Sequence, residues 1–171
     1  MQPHALAGKV QTINGPIEPS QLGITLAHEH LLIDINFTRL IPREAGIKGR
    51  SMTPVTIDNL WHIRKDWKNG NDRLLGDEDE IIAEANHFKA AGGSTIVDAT
   101  PIGLGRDPLG AARIARATGL NVVIGCGYYS MEVPQPGLDD KSVDDITAEI
   151  VRDIEVGAGW PPVRAGLIGE I

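Results

Sequence analysis

Cysteine is almost missing from this sequence: Cys126 stands alone among 171 residues. No disulfide can therefore form within the chain, and a single thiol suits a reducing compartment. Basic residues are also scarce, with 16 Lys and Arg against 23 Asp and Glu, for a net charge of −7. Without a basic face to neutralise phosphates, no nucleic-acid partner is expected. No apolar run approaches the roughly 18 residues of a membrane span. The opening "MQPHALAGKV" lacks the basic stretch and apolar core of a signal peptide. The expected setting is soluble and cytoplasmic, with no membrane partner. Histidine is thin as well, five in all, yet two of them sit one residue apart.

What is present describes a globular α/β chain. Hydrophobic residues make up 42% of the sequence, enough for a real core. "GKVQTINGPI" alternates like a hairpin around Asn14-Gly15. "GITLAHEHLLIDI" reads as a strand apolar on both faces, as in a helix-covered parallel sheet. Residues 38–76 form a long irregular excursion, with a helix expected in "PVTIDNLWHIRKDW" that Thr53 or Thr56 would cap.

From Asp77 onward the order is regular. "DEDEIIAEANHFKAAGG" reads as a helix ended by Gly92-Gly93, and "STIVDAT" as a buried strand. "DPLGAARIARATG" reads as a helix opened by Asp107-Pro108 and closed by Gly119, followed by strand "NVVIGCG". "KSVDDITAEIVRDIEVG" is a third helix by its apolar spacing, and "RAGLIGEI" a fourth strand. Alternating strands and helices predict a parallel sheet with right-handed crossovers. An open doubly wound sheet and part of a (β/α)8 barrel both fit. A barrel takes about 250 residues, so the expectation is an incomplete (β/α)8 TIM barrel. It would hold an N-terminal hairpin, roughly four strands and three helices, with residues 1–171 as the N-terminal half of one domain.

The chemistry gathers at strand ends. In a strand, residues i and i+2 share a face, so His28 and His30 of "TLAHEHLLID" point the same way while Glu29 points away. Two imidazoles on one wall could hold a divalent metal; they could equally be polar residues reaching water at a strand end. "HEHLL" is not the metalloprotease H-E-x-x-H, because position 32 is Leu. "GLGRDPLG" fails as a dinucleotide fingerprint, because Pro108 occupies the place of the third glycine. Glu170, in the apolar strand "GLIGEI", is costly to bury unless paired or metal-bound, though it could also simply face water. Asp98 could be a ligand, a partner for a histidine, or an acceptor for strand-end backbone. Tyr128 and Tyr129 follow a strand directly, where a substrate of mixed polarity would sit, and ordinary loop packing would explain them equally well. Cys126, between glycines, reads as a small packing residue.

Taken in order, "GITLAHEHLLID", "GGSTIVDATPIGLGRDP", "ATGLNVVIGCGYY" and "VRAGLIGEI" resemble the N-terminal half of the phosphotriesterase-related proteins of the amidohydrolase superfamily. The likeness runs from Gly8 to Ile171. It implies a (β/α)8 barrel whose strand ends carry two divalent metals, usually Zn2+, with His28 and His30 as ligands. The residue bridging the metals is a carboxylated lysine in the best-known members and a glutamate in the branch with G-E-I, here Glu170. Tyr129 matches a pocket-lining tyrosine of the lactonase-like members. The resemblance also calls for two later histidines and a proton-shuttling aspartate that this chain does not contain, since its last histidine is His87. The implied activity is metal-dependent hydrolysis of an ester, lactone, phosphotriester or amide in a small molecule, with these 171 residues inactive by themselves. A homodimer of the complete protein is a further expectation. The competing expectation is a non-catalytic half-barrel that covers its open edge with a copy of itself or another chain.

Overall fold

The computed structural model describes residues 6–36, 53–66, 69–129, 135 and 137–170. His4, residues 38–52 of the excursion and all of 130–136 except Gln135 lie outside the described residues. No helix among the described residues is long and apolar enough to cross a membrane.

The chain begins with an antiparallel hairpin of β1 (Val10–Thr12) and β2 (Gly15–Ile17). Its two-residue loop is Ile13-Asn14 rather than Asn14-Gly15, because Thr12 pairs with Gly15. Tertiary contacts decide this: the Ile13 amide donates to the Val122 carbonyl at 2.8 Å, and its side chain packs on the core. β3 (Ile24–Glu29) then enters the main sheet. The expected continuous strand stops there. Leu31 and Leu32 leave the sheet to be buried in the core, and β4 (Ile33–Asp34) pairs antiparallel with β5 (Leu74–Leu75). The long apolar run thus serves two packing sites. β3 itself is largely exposed, because it forms one edge of the sheet.

In the excursion, α1 spans only Leu60–Asp66. The turn ahead of it is organised by Asn59, whose side chain accepts from the Thr56 amide and donates to the Pro54 carbonyl, both at 2.8 Å. Beyond it, α2 (Glu78–Ala90) starts on Asp77, which accepts from the Asp79 and Glu80 amides. Gly93 opens β6 (Gly93–Asp98) instead of ending the helix. The Phe88 ring lies where a Cβ on Gly93 would fall, so a glycine is needed there. α3 (Pro108–Thr118) has the expected Asp107 cap and a left-handed Gly119 at its end. After β7 (Asn121–Cys126), α4 (Val143–Glu155) opens with a capping box of Ser142 and Asp145. The last strand is β8 (Leu167–Ile168).

The main sheet is parallel throughout, in the order β3-β6-β7-β8. Sequential strands are neighbours and helices intervene, the connectivity of a (β/α)8 barrel. A flat sheet would hold its outer strands about 14 Å apart, three spacings of ~4.8 Å. Yet His30, just after β3, and Glu170, just after β8, meet at 3.3 Å. The sheet is therefore curled, with both edges turned toward a common concave side: half of a barrel. The core beneath it joins Ile96, Val122 and Ile124 of the strands to Ala111, Ile114 and Ala115 of α3. Cys126 is fully buried there and its thiol donates to the Leu167 carbonyl, a packing role.

Candidate metal centre at the strand ends

His28 and His30 owe their positions to an irregularity in β3. Leu26 pairs with Ile96 and Glu29 with Asp98, so three steps on β3 match two on β6. Bulges of this kind re-aim side chains and are common beside active sites. The sheet then releases the chain, and Glu29 is tied to the neighbouring strand end by its carbonyl, which accepts from the Ala99 amide at 2.9 Å. Opposite, the Gly169 amide donates to the Cys126 carbonyl at 2.8 Å and the Glu170 amide to the Ala99 carbonyl at 3.1 Å. Ala99 thus anchors both sides of the site.

The three side chains converge. Nε2 of His28 and Nε2 of His30 lie 3.6 and 3.3 Å from the same Glu170 oxygen, Oε2. The two rings meet edge to face, 5.4 Å apart. One ligand atom from each residue fits within a mutual separation of 4.8 Å. The His28 side chain is more than half exposed, whereas those of His30 and Glu170 are about one-quarter and one-third exposed. The cluster is therefore reachable from solvent.

These donors suit a divalent cation. Two imidazole nitrogens and a carboxylate oxygen form a common zinc donor set, and ligands about 2.1 Å from a tetrahedral ion stand roughly 3.4 Å apart. The contacts to Glu170 bracket that spacing. Three protein ligands with solvent on the remaining side is also the arrangement of catalytic rather than structural zinc.

Behind His30 lies a buried polar pair. His30 Nδ1 is 2.9 Å from Oγ1 of Thr100, and Thr100 in turn bonds Oδ1 of Asp98 through both its hydroxyl and its amide. Asp98 and Thr100 are almost completely buried. Burial pushes the Asp98 carboxyl above the usual carboxylate range, and the hydrogen bonds from Thr100 pull against it. Asp98 is therefore one step removed from the three-residue cluster. The sequence singled out Asp98 but not Thr100. The available signal was a hydroxyl two residues past a strand-end carboxylate, a spacing that becomes informative only once the backbone turn is known.

The two tyrosines separate. The Tyr128 hydroxyl is held by Lys141 and Glu149, the latter on α4. Tyr129 is fixed through its backbone: its amide donates to the Ile102 carbonyl at 3.0 Å and its carbonyl accepts from Gln135 at 3.0 Å. Both rings are half-buried. Arg106, another residue not singled out from sequence, forms a buried ion pair with Asp153 at 2.8 Å and helps wall a separate cleft with Gly105, Pro108 and Gly159. That cleft includes none of the three clustered residues.

Residues 8–171 match the model of the phosphotriesterase family. A phosphotriesterase-related protein of Nematostella vectensis is 36% identical over 169 residues, which cover 96% of this chain and 48% of that relative. An N-acetyltaurine hydrolase of Xenopus tropicalis is likewise 36% identical, over 98% of this chain and 48% of its own length. Among solved structures, a resiniferatoxin-binding protein from Rhodobacter sphaeroides superposes with a TM-score of 0.89 at 40% identity, covering 98% of this chain and 47% of that one. The chain thus spans about half the length of the relatives it matches.

Proposed function

The chain belongs to the phosphotriesterase family, and from that premise we propose that it supplies half of the active site of a metal-dependent hydrolase. The observation that carries this reading is the convergence of His28, His30 and Glu170 from opposite edges of the sheet. His28, His30 and Glu170 would hold the metal on this side of the site, a donor set that suits zinc. Bound divalent metal supplies a water ionised near neutral pH and an electrophile for the carbonyl or phosphoryl oxygen under attack.

This chain's own residues do the remaining work on this side of the site. Glu170, from the β8 edge, reaches the two histidines across the concave side of the sheet and would complete their ligand set. Tyr129, on the loop after β7, forms part of the substrate wall, while the Tyr128 hydroxyl is engaged by Lys141 and Glu149. The other two histidine ligands and the proton-shuttling aspartate belong to the half of the family's length that these residues do not span. Substrates are small molecules with an ester, lactone, phosphotriester or amide bond. The similarity to an N-acetyltaurine hydrolase makes an N-acyl amide the first to try.

The test uses a protein carrying this chain together with the remaining half of its relatives' length. Hydrolysis of an N-acyl amide, a lactone and a phosphotriester is followed before chelation, after it, and after Zn2+ is restored. At least one substrate should be turned over, with activity lost on chelation and recovered with zinc. Glu170→Ala should lower the bound metal from two ions and cut the rate by more than the ~100-fold that outer-shell changes reach. A rate untouched by chelation and by Glu170→Ala overturns the proposal.

A further inference from the structure

We propose that Thr100, itself oriented by Asp98, holds His30 in the ring tautomer that carries its proton on Nδ1 and aims the Nε2 lone pair at Glu170. The proposal deepens the metal-site reading and rests on it for its purpose, but not for its geometry.

A count of hydrogens fixes the tautomer. Oδ1 of Asp98 already accepts the Thr100 amide at 3.0 Å, so that oxygen is an acceptor whatever happens at Oδ2. The Thr100 hydroxyl bonds the same oxygen and must therefore donate to it. A hydroxyl has one hydrogen. Once it is given to Asp98, only lone pairs remain on Oγ1 to face His30 Nδ1 at 2.9 Å. Nδ1 must then be the donor, and a neutral imidazole has only one N–H. Nε2 is left with a lone pair, 3.3 Å from Oε2 of Glu170.

Two acceptors in contact repel unless a cation lies between them. The relay thus presents His30 as a metal ligand before any metal arrives. Thr100 is 2% exposed and Asp98 5% exposed, so water cannot readily replace either partner or relax the tautomer. Thr100 and Asp98 are positioning residues: they act on the metal only through His30. Coupling of this kind, from a buried acceptor through the far nitrogen of a ligating histidine, typically governs affinity by 10–100-fold.

The test begins with the metal-free full chain, at an alkaline pH where free histidine is neutral. Long-range 1H–15N correlation distinguishes the protonated ring nitrogen from the bare one. The expected spectrum has His30 protonated at Nδ1. Thr100→Val should lose that preference and bind Zn2+ alone about 10–100-fold more weakly, as measured against a chelating dye. Thr100→Ser, which keeps the hydroxyl, should restore both. A wild-type His30 protonated at Nε2 overturns the proposal, and so does a folded Thr100→Val chain with wild-type zinc affinity. If Thr100→Val fails to fold, the wild-type tautomer still decides. Failure of the wild-type chain to bind zinc would sink the metal-site reading, while the tautomer would judge the relay separately.

Discussion

Lys141, Tyr128 and Glu149 form a three-way contact that ties the loop after β7 to α4. The Lys141 ammonium donates to Glu149 at 2.7 Å and to the Tyr128 hydroxyl at 2.5 Å, and Tyr128 also donates to Glu149. Lys141, and then Tyr128, hold the Glu149 carboxyl below its ordinary value of 4.5. A carboxyl depressed in the folded state contributes stability above its unfolded pKa, and that contribution fades as pH falls through the lower folded value. Lys141→Met should therefore destabilise the chain at pH 7. Its gap from wild type should narrow as pH drops below about 4.5, the unperturbed value. Urea midpoints for both proteins between pH 7 and 3 check this, and a gap independent of pH would mean that the pair adds no net charge-dependent stability. The contact matters for function because it engages the Tyr128 hydroxyl with Lys141 and Glu149, next to Tyr129, the proposed wall of the site. By their position after a strand the two tyrosines read alike, and only the family resemblance set Tyr129 apart; their long-range partners distinguish them further. His28 and His30 were legible because their H-x-H spacing is local, although a bulge and not plain alternation aims them, and Glu170 because a carboxylate is conspicuous in an apolar segment. Thr100 was not, because its role depends on His30, 70 positions away.

Three strand ends meet through residues with almost no side chain. The Gly125 α-carbon faces the Ala99 backbone, and a Cβ placed there would lie 3.2 Å from the Ala99 carbonyl and from the Gly169 α-carbon. A Cβ on Gly169 would come within 2.5 Å of the Ala99 oxygen, the acceptor that the Glu170 amide uses. Backbone cannot yield as a side-chain tip can, so Gly169→Ala must push β8 away from β6 and carry Glu170 with it. The expected cost is about 1–3 kcal/mol of stability, as for other overpacked sites. Zinc affinity should also fall although no ligand is changed. Denaturant unfolding and zinc titration of Gly169→Ala measure the two effects. Unchanged affinity in a folded variant would show that Glu170 tolerates the shift. This close approach explains the glycine in "GLIGEI", which the sequence presented only as an apolar strand. Elsewhere the elements were readable where their signals were local, as at the Asp107-Pro108 start and the Gly119 stop of α3. They were misjudged where tertiary contacts ruled. The apolar stretch from Ile24 to Ile35 looked like one strand because hydrophobicity records burial without saying against what.

At the scale of the whole molecule, the curl that assembles the site also leaves two edges of the sheet unpaired among the described residues. Ile24 on β3 is 63% exposed and Ile168 on β8 is 50% exposed, and Val151 and Val156 on the α4 side are also open. In a closed barrel such edges are paired on both sides. Here the chain spans about half of its relatives' length, and among the described residues the curvature brings the two edges together. Backbone contacts between neighbouring strands do part of this, but they do not join β3 to β8. Among the described residues, the side chains of the candidate site that do so are His28 and His30 on one edge and Glu170 on the other. A cation bound by all three is thus a clamp between the edges as well as a chemical group. Because it binds the folded state and not its separated ligands, it should stabilise by linkage, about 2.7 kcal/mol at a free Zn2+ concentration 100 times its dissociation constant. Glu170→Ala removes the ligand on the β8 edge, so it should abolish most of that gain even where the two histidines still hold zinc weakly. Unfolding of both proteins with and without zinc measures it. Equal stabilisation of wild type and Glu170→Ala would place the metal on β3 alone and remove the clamp, whereas loss in the variant would tie the closure of the half-barrel to its chemistry.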